Sequence, residues 1–215
     1  MIFSFMQIGV SLSHWNHHAF TNQKNDPDVQ IFSRFKNLWS RMFLIRTYAN
    51  RIYIRNTLRM ALGKKLDYPV ALPFTEQEIK HLAIFNLALS LLWTIAYLVL
   101  IIYNPAMGII CIIIPHILTV LYSSIRSYLE HADTGNELFD NSRTRKNIFF
   151  TIFYFGNNYH LEHHLYPRVP CYNLPAVHCF LSENGYFKRN NTHIVGGIME
   201  AYKFATGKYQ YPTGY

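Results

Sequence analysis

The sequence has few charged residues, and one long segment near the middle of the chain has none. Charged residues make up 15% of the 215, and the segment from His81 to Ile125 contains no Asp, Glu, Lys or Arg. A bilayer core of ~30 Å is crossed by about 20 helical residues, so this segment is long enough for two crossings. The missing charge therefore argues against a water-soluble domain and predicts a membrane protein.

Cysteine and acidic residues are also scarce. The three cysteines lack the spacing of a disulfide framework or of a cysteine metal site, which argues against both. The 12 acidic residues are outnumbered by 20 basic ones, all outside the apolar segment, and the net charge is +8. Basic residues favour the cytoplasmic side of a membrane, so the regions that flank the segment are predicted to face the cytoplasm. The apolar segment disfavours the alternative explanation, which is binding to nucleic acid.

The apolar segment predicts a helical hairpin. The dipeptide Asn104-Pro105 lies near its middle, and proline disfavours helix continuation in the residue before it. We expect one helix from about Thr75 to Tyr103 and a second from about Pro105 to His131, with the transmembrane hairpin at about 79–127. The predicted fold is an all-α integral membrane protein with one transmembrane hairpin and a cytoplasmic helical cap.

Other patterns predict the ends and surroundings of these helices. Thr75 and Glu78 have the spacing of a capping box at the start of the first crossing. Residues 31–62 interleave bulky apolar side chains with Arg and Lys, which predicts a basic amphipathic region that lies at the membrane surface and anchors the cap. The alternative is an ordinary surface helix of the cap. Gly63 would end that helix in either case. Residues 148–155 are apolar but too few to span, so they are predicted to be interfacial.

The most informative pattern is a histidine triplet that occurs twice. Its members are His14, His17 and His18 near the start, and His160, His163 and His164 near the end. The spacing i, i+3, i+4 places each triplet on one face of an α-helix, where it can direct three imidazoles at one point. A single histidine is usually a core residue, but a repeated triplet indicates metal ligation. Because two crossings return the chain to the side it left, both triplets can serve one site.

The ligands restrict the identity of the metal only in part. Imidazole suits zinc, copper, iron and nickel, so ligand type alone leaves the metal open. A catalytic zinc commonly takes three protein ligands and water, whereas two triplets favour two metals, and iron is the natural choice for activating dioxygen. Glu130 and Glu162 lie beside histidines in the sequence, and we expect them to orient imidazoles and to offset the charge of the metals.

The residues around the triplets resemble the membrane fatty acid desaturases of the histidine-box type. The family's second box is similar to the first triplet together with the Asp26-Pro27-Asp28 that follows it. Its third box is similar to residues 158–167 together with the Val169-Pro170 and Tyr172-Asn173-Leu174-Pro175 that follow them. A family segment that precedes the third box is similar to residues 126–131. The resemblance implies a di-iron enzyme that uses dioxygen and two electrons to remove hydrogens from an unactivated carbon chain. It implies seven iron ligands, namely His14, His17, His18, His131, His160, His163 and His164.

The same resemblance implies a substrate class and partners. The substrate would be an acyl-lipid or an acyl-CoA, the membrane would be a bacterial inner membrane or the endoplasmic reticulum, and the residues that bind substrate stay unassigned. Since the chain has no fused haem motif, electrons would come from a separate carrier of the cytochrome b5 or ferredoxin type. The alternatives are a carotenoid or sphingolipid hydroxylase of the same superfamily and a non-catalytic, truncated desaturase-like membrane protein. A membrane zinc hydrolase is disfavoured because seven histidines exceed what zinc needs.

One departure from the family pattern concerns its first box. That box has the form H-x(3,4)-H, and this sequence has no histidine before His14. We therefore expect residues 1–215 to be a single desaturase-like domain that lacks the first box and is truncated at its N-terminus. The other histidines have no partner at ligand spacing. His81, His178 and His193 are predicted to be surface or interfacial. His116, inside the second crossing, is predicted to hydrogen-bond to a neighbouring helix, with the lining of an acyl tunnel as the alternative.

Overall fold

A computed structural model describes residues 6–190, 192–197, 199–200 and 202–203. The termini of the predicted domain, 1–5 and 204–215, lie outside these residues. The chain divides into two compact units, here called unit 1 and unit 2. Unit 1 comprises Met1–Ala19 and Gln30–Ile125, and unit 2 comprises Phe20–Val29 and Arg126–Tyr215.

Most of the described chain is helical, as the sequence predicts. The first six helices are α1 (Gln7–Phe20), α2 (Pro27–Phe32), α3 (Leu38–Ala61), α4 (Glu76–Tyr103), α5 (Pro105–Gly108) and α6 (Ile114–His131). The later elements are β1 (Arg143–Arg145), α7 (Ile148–Phe153), α8 (His160–Leu165), α9 (Leu174–Glu183), α10 (Tyr186–Arg189) and β2 (His193–Val195). The all-α fold class with one hairpin of apolar helices is confirmed.

Two helical stretches, Glu76–Tyr103 and Pro105–His131, are long and apolar enough to cross a membrane. In the most apolar 18 residues of each stretch, 6% of the first and 11% of the second is buried. The core helix of a soluble protein would be mostly buried instead. The turn between them is organised by Asn104, whose side chain accepts the Met107 N–H. These observations agree with the predicted hairpin.

The ends and irregularities of the two crossings follow from local sequence. The capping box at the start of α4 is confirmed, because the Thr75 N–H donates to Glu78 at 2.8 Å and the Glu78 N–H donates to the Thr75 hydroxyl oxygen at 3.2 Å. The second crossing is less regular than predicted, since a π-helical turn, Ile109–Ile113, separates α5 from α6. Pro115 has no N–H for an ordinary helical bond to the residue four positions earlier, and the π turn ends at Ile113, two residues before it.

Unit 1 fixes α1 against its neighbours. A Cβ atom at Gly9 would collide with the Tyr53 carbonyl oxygen, so glycine permits the close approach of α1 to α3. The Ile8 N–H donates to the Asn86 side chain at 2.8 Å, which ties α1 to α4. As predicted, α3 ends just before Gly63, whose φ of 68° is in the left-handed region.

Unit 2 is built from short elements around buried leucines of α6, α8 and α9. Leu129, Leu161 and Leu181 are each at most 1% exposed. Strands β1 and β2 form a parallel pair in which Arg143 aligns with His193 and Arg145 with Val195. This small sheet is absent from the sequence prediction, because its strands are short and separated by almost fifty residues.

Candidate metal centre

The first triplet occupies one face of α1, as its spacing predicts. His14 and His18 bring their Nε2 atoms to 3.1 Å, and the ring centroid of His17 lies 5.9 Å from that of His14 and 5.8 Å from that of His18. His17 is buried, His18 is partly exposed and His14 is exposed. Unit 1 therefore holds three imidazoles on a single side of one helix.

In unit 2, three histidines from two helices direct Nε2 atoms at one point. The Nε2 atom of His160, on α8, lies 2.9 Å from Nε2 of His131, at the end of α6, and 3.2 Å from Nε2 of His164. All three side chains are buried. Two nitrogens bound at a right angle to an ion at about 2.1 Å would be about 3.0 Å apart, so the observed spacing suits three ligands of one metal ion.

Hydrogen bonds alone do not account for this arrangement. His131 Nδ1 donates to the Asn141 carbonyl oxygen at 3.0 Å, so in the neutral ring its Nε2 carries only a lone pair. His160 Nε2 holds at most one hydrogen, which can point at His131 or at His164 but not well at both. A cation at the shared point would satisfy all three nitrogens, which is why the donor set fits a metal.

The surroundings of unit 2 orient these ligands. The Asn141 carbonyl that fixes the His131 ring also accepts from Asn22 at 2.8 Å and from Thr134 at 3.1 Å. His164 Nδ1 lies 3.2 Å from the Thr21 hydroxyl. Partners of this kind hold an imidazole in one tautomer and one orientation, which raises its quality as a ligand.

Glu130 pairs with Arg126, four residues earlier on α6, and with a second arginine, Arg145. Oε1 of Glu130 accepts from Arg126 Nε at 2.7 Å and from Arg145 at 2.9 Å. Oε2 lies 3.8 Å from His160 Nε2, which is too far for a hydrogen bond but close enough for electrostatic influence. The pKa of His160 is held well below its usual range, mainly because burial disfavours the charged ring. Positive charge on the neighbouring His164 and His131 lowers this pKa further. The neutral ring that results is the form that binds metal.

The remaining member of the second triplet, His163, lies at its edge. Its ring centroid is 5.8 Å from that of His160 and 5.9 Å from that of His164, and the side chain is partly exposed. The two triplets belong to different units, so their union in one centre of seven histidines stays a prediction.

Glu162 binds residues that the sequence prediction did not connect with the site. Its carboxylate accepts from His178 Nδ1 at 2.5 Å and from the Thr144 hydroxyl, and neither partner is a predicted ligand. The prediction that His178 is surface or interfacial is wrong, because this residue is only 3% exposed. No local spacing links the two residues, which are 16 positions apart on different helices, so only the tertiary structure reveals the pair.

The other histidines lie elsewhere. His81 is exposed near the start of α4, in agreement with a surface position, and His116 is partly exposed in α6. His193 lies on β2, where burial and the charge of Arg143 lower its pKa. The bonding role predicted for His116 stays a prediction.

The comparisons with known proteins agree with this geometry. The model of the family described as fatty acid desaturase matches residues 1–193, a range that includes all seven predicted ligands. No curated protein and no solved structure matches the chain significantly.

Proposed function

Because the chain belongs to the fatty acid desaturase family, we propose that it removes hydrogens from a fatty acyl chain at a histidine-ligated di-iron centre. The family supports an oxidoreductase of the desaturase and hydroxylase type. The observation that carries the finer proposal is the convergence of His131, His160 and His164 in unit 2, with Nε2 separations of 2.9 and 3.2 Å. This spacing suits cis ligands of one ion.

In this proposal the ligands are the two triplets and His131. Neutral imidazoles contribute no negative charge, so a centre built from them is strongly positive and needs acids nearby. Glu130 is buried next to His160 but is paired with two arginines, so its carboxylate is held beside the centre as a neighbour and not as a ligand. Iron bound there would supply the activation of dioxygen that the attack on an unactivated C–H bond requires.

The substrate and partners follow from the family and from the two apolar helices. An acyl chain, as acyl-lipid or acyl-CoA, would reach the centre from the membrane. The histidine boxes would face the cytoplasm of a bacterial inner membrane or of the endoplasmic reticulum, because no basic residue lies between the two crossings. A separate carrier of the cytochrome b5 or ferredoxin type would deliver electrons.

Lipid analysis of expressing cells tests the reaction. We expect membranes that contain the chain, supplied with iron and an electron carrier, to gain fatty acids with one additional double bond, measured by mass spectrometry of extracted acyl chains. His160→Ala should abolish this product, whereas His81→Ala, the same change at an exposed histidine outside the site, should not. A hydroxylated product would instead identify the hydroxylase alternative.

Metal analysis of the purified protein provides an independent test. Iron should co-purify with the chain and should be lost in His160→Ala. Stoichiometric zinc, together with lipid chemistry that survives iron removal, would contradict the di-iron proposal. Absence of both iron and lipid product would favour a non-catalytic membrane protein.

A further inference from the structure

Glu162 lies between predicted ligands in the sequence but behind them in space. At 3.6 residues per turn it is about 160° around the helix axis from both His160 and His164. Its fully buried carboxylate accepts the Nδ1–H of His178 on α9 and the hydroxyl of Thr144 on β1. Glu162 therefore anchors the back of α8, on the side away from the metal ligands.

Helix α8 needs such an anchor because it is short. It has six residues, and its N-cap residue, Tyr159, makes no side-chain capping bond. Isolated helices shorter than about 12 residues are marginal in water. Thr144 replaces the cap from outside, since its hydroxyl accepts the Leu161 N–H at 3.2 Å while it donates to Glu162. Contacts from other elements thus set the angle at which α8 presents its histidines.

His178 is the contact that α9 supplies, and its ring is held firmly. The ring centroid lies 5.1 Å from that of Tyr159 and 5.0 Å from that of Phe187, which leaves Nδ1 directed at Glu162. We propose that His178 is a positioning residue that fixes the rotation of α8 through Glu162. The inference rests on the proposed metal centre, because it concerns the direction of His160 and His164.

The required accuracy gives this role its importance. Side-chain ends of a helix lie about 5–6 Å from its axis, so a rotation of about 10° moves a ligand nitrogen by about 1 Å. Metal-ligand distances are held within about 0.2 Å. A small rotation of α8 would therefore spoil the geometry of two ligands at once, although no ligand is itself altered.

Titration of the metal-free full chain with Co²⁺, followed by its visible absorption, tests the proposal without any assay of activity. His178→Met removes the donor but keeps an adaptable side chain of similar length. We expect it to raise the dissociation constant for Co²⁺ by about 10- to 100-fold and to change the shape of the absorption bands. His178→Asn keeps an N–H near the position of Nδ1 and should recover most of the affinity.

Two further variants separate positioning from folding. Leu181→Ala, at an equally buried position one turn along α9, should lower the melting temperature but leave the dissociation constant near that of the unsubstituted chain. If His178→Met fails to fold because it leaves the Glu162 carboxylate without its partner, the double variant with Glu162→Gln removes that charge. The double variant should fold and still bind Co²⁺ weakly.

The outcomes distinguish this inference from the proposed function. Failure of the unsubstituted chain to bind Co²⁺ would overturn the proposed metal centre, and the role of His178 with it. Tight binding by the unsubstituted chain and equally tight binding by folded His178→Met would overturn only the positioning role. Equal weakening by Leu181→Ala and His178→Met would also overturn it, because general loosening of α9 would then suffice.

Discussion

Removal of the Arg145 side chain should destabilise unit 2 more than any surface change. This guanidinium is 2% exposed and donates to Glu130, whose carboxylate side chain is 5% exposed. Breaking a buried pair from one side costs about 3–5 kcal/mol, because a charge is left buried without compensation. Arg126 remains at 2.7 Å from the same oxygen but is 22% exposed, so it offsets part of the loss. We therefore expect Arg145→Met to cost about 3 kcal/mol, at the lower end of that range.

The expected cost can be measured as a shift in melting temperature. For a chain of this size, 1 kcal/mol corresponds to about 2–4 °C, so Arg145→Met should melt about 6–12 °C lower in detergent micelles. Arg145→Lys keeps the charge but loses the planar geometry, and its shift should be smaller. Adding Glu130→Gln to Arg145→Met removes the stranded charge and should restore part of the loss.

Two results would refute this reasoning. Arg145→Met could melt within about 2 °C of the unsubstituted chain, which is a much smaller shift than expected. That result would mean that Arg126 or solvent compensates the Glu130 charge completely. A double variant that is less stable than Arg145→Met would mean that Glu130 stabilises the fold through other contacts. Measurement in the presence of a chelator keeps bound metal from masking either effect.

The remaining predictions concern one helix cap and one strand. Thr75→Ala should lower stability by about 1 kcal/mol, because it removes the capping oxygen from the start of α4; an equal effect in a Glu78→Ala background would contradict the reciprocal box. Because burial and Arg143 depress the pKa of His193, the neutral ring is preferred in the fold. Stability from this group is present above the unfolded pKa of about 6.5 and is lost as pH falls through the folded value. His193→Asn should therefore reduce the loss of stability at acidic pH in metal-free protein, and an unchanged pH profile would count against this assignment.

Local patterns predicted the elements that carry the candidate site. The triplet spacing placed His14, His17 and His18 on one face of α1, because the period of a helix is independent of what surrounds it. Thr75 and the dipeptide Asn104-Pro105 marked helix ends for the same reason, since capping and proline geometry involve only neighbouring residues.

The contacts that orient the ligands could not be predicted in this way. The His131 ring is fixed by a backbone carbonyl, at Asn141, and any residue offers such a carbonyl. His178 meets Glu162 only because α9 packs on α8, and β1 pairs with a strand almost fifty residues away. Such contacts depend on the tertiary arrangement, which the spacing of residues along the chain does not encode.

The dependence of His131 on a distant residue leads to a last prediction. Asn22 has a φ of 60°, and its side-chain nitrogen, Nδ2, lies 3.0 Å from the Thr134 hydroxyl oxygen, 2.8 Å from the Asn141 carbonyl oxygen and close to the Gly135 carbonyl oxygen. The two hydrogens of this nitrogen are shared among the three acceptors. Asn22 therefore holds the loop whose carbonyl fixes the His131 ring. Asn22→Gly keeps the left-handed backbone and removes these bonds, which should cost about 1–3 kcal/mol of stability.

Asn22→Ala removes the same bonds and adds backbone strain, so it should cost about 1–2 kcal/mol more than the glycine variant. Both should weaken Co²⁺ binding by a similar factor, because the affinity depends on the loop and not on the strain. Denaturant unfolding and metal titration of the two variants measure the two quantities separately. A glycine variant with unchanged metal affinity would mean that the Asn141 carbonyl keeps its place without Asn22, and that Thr134 alone suffices to orient His131.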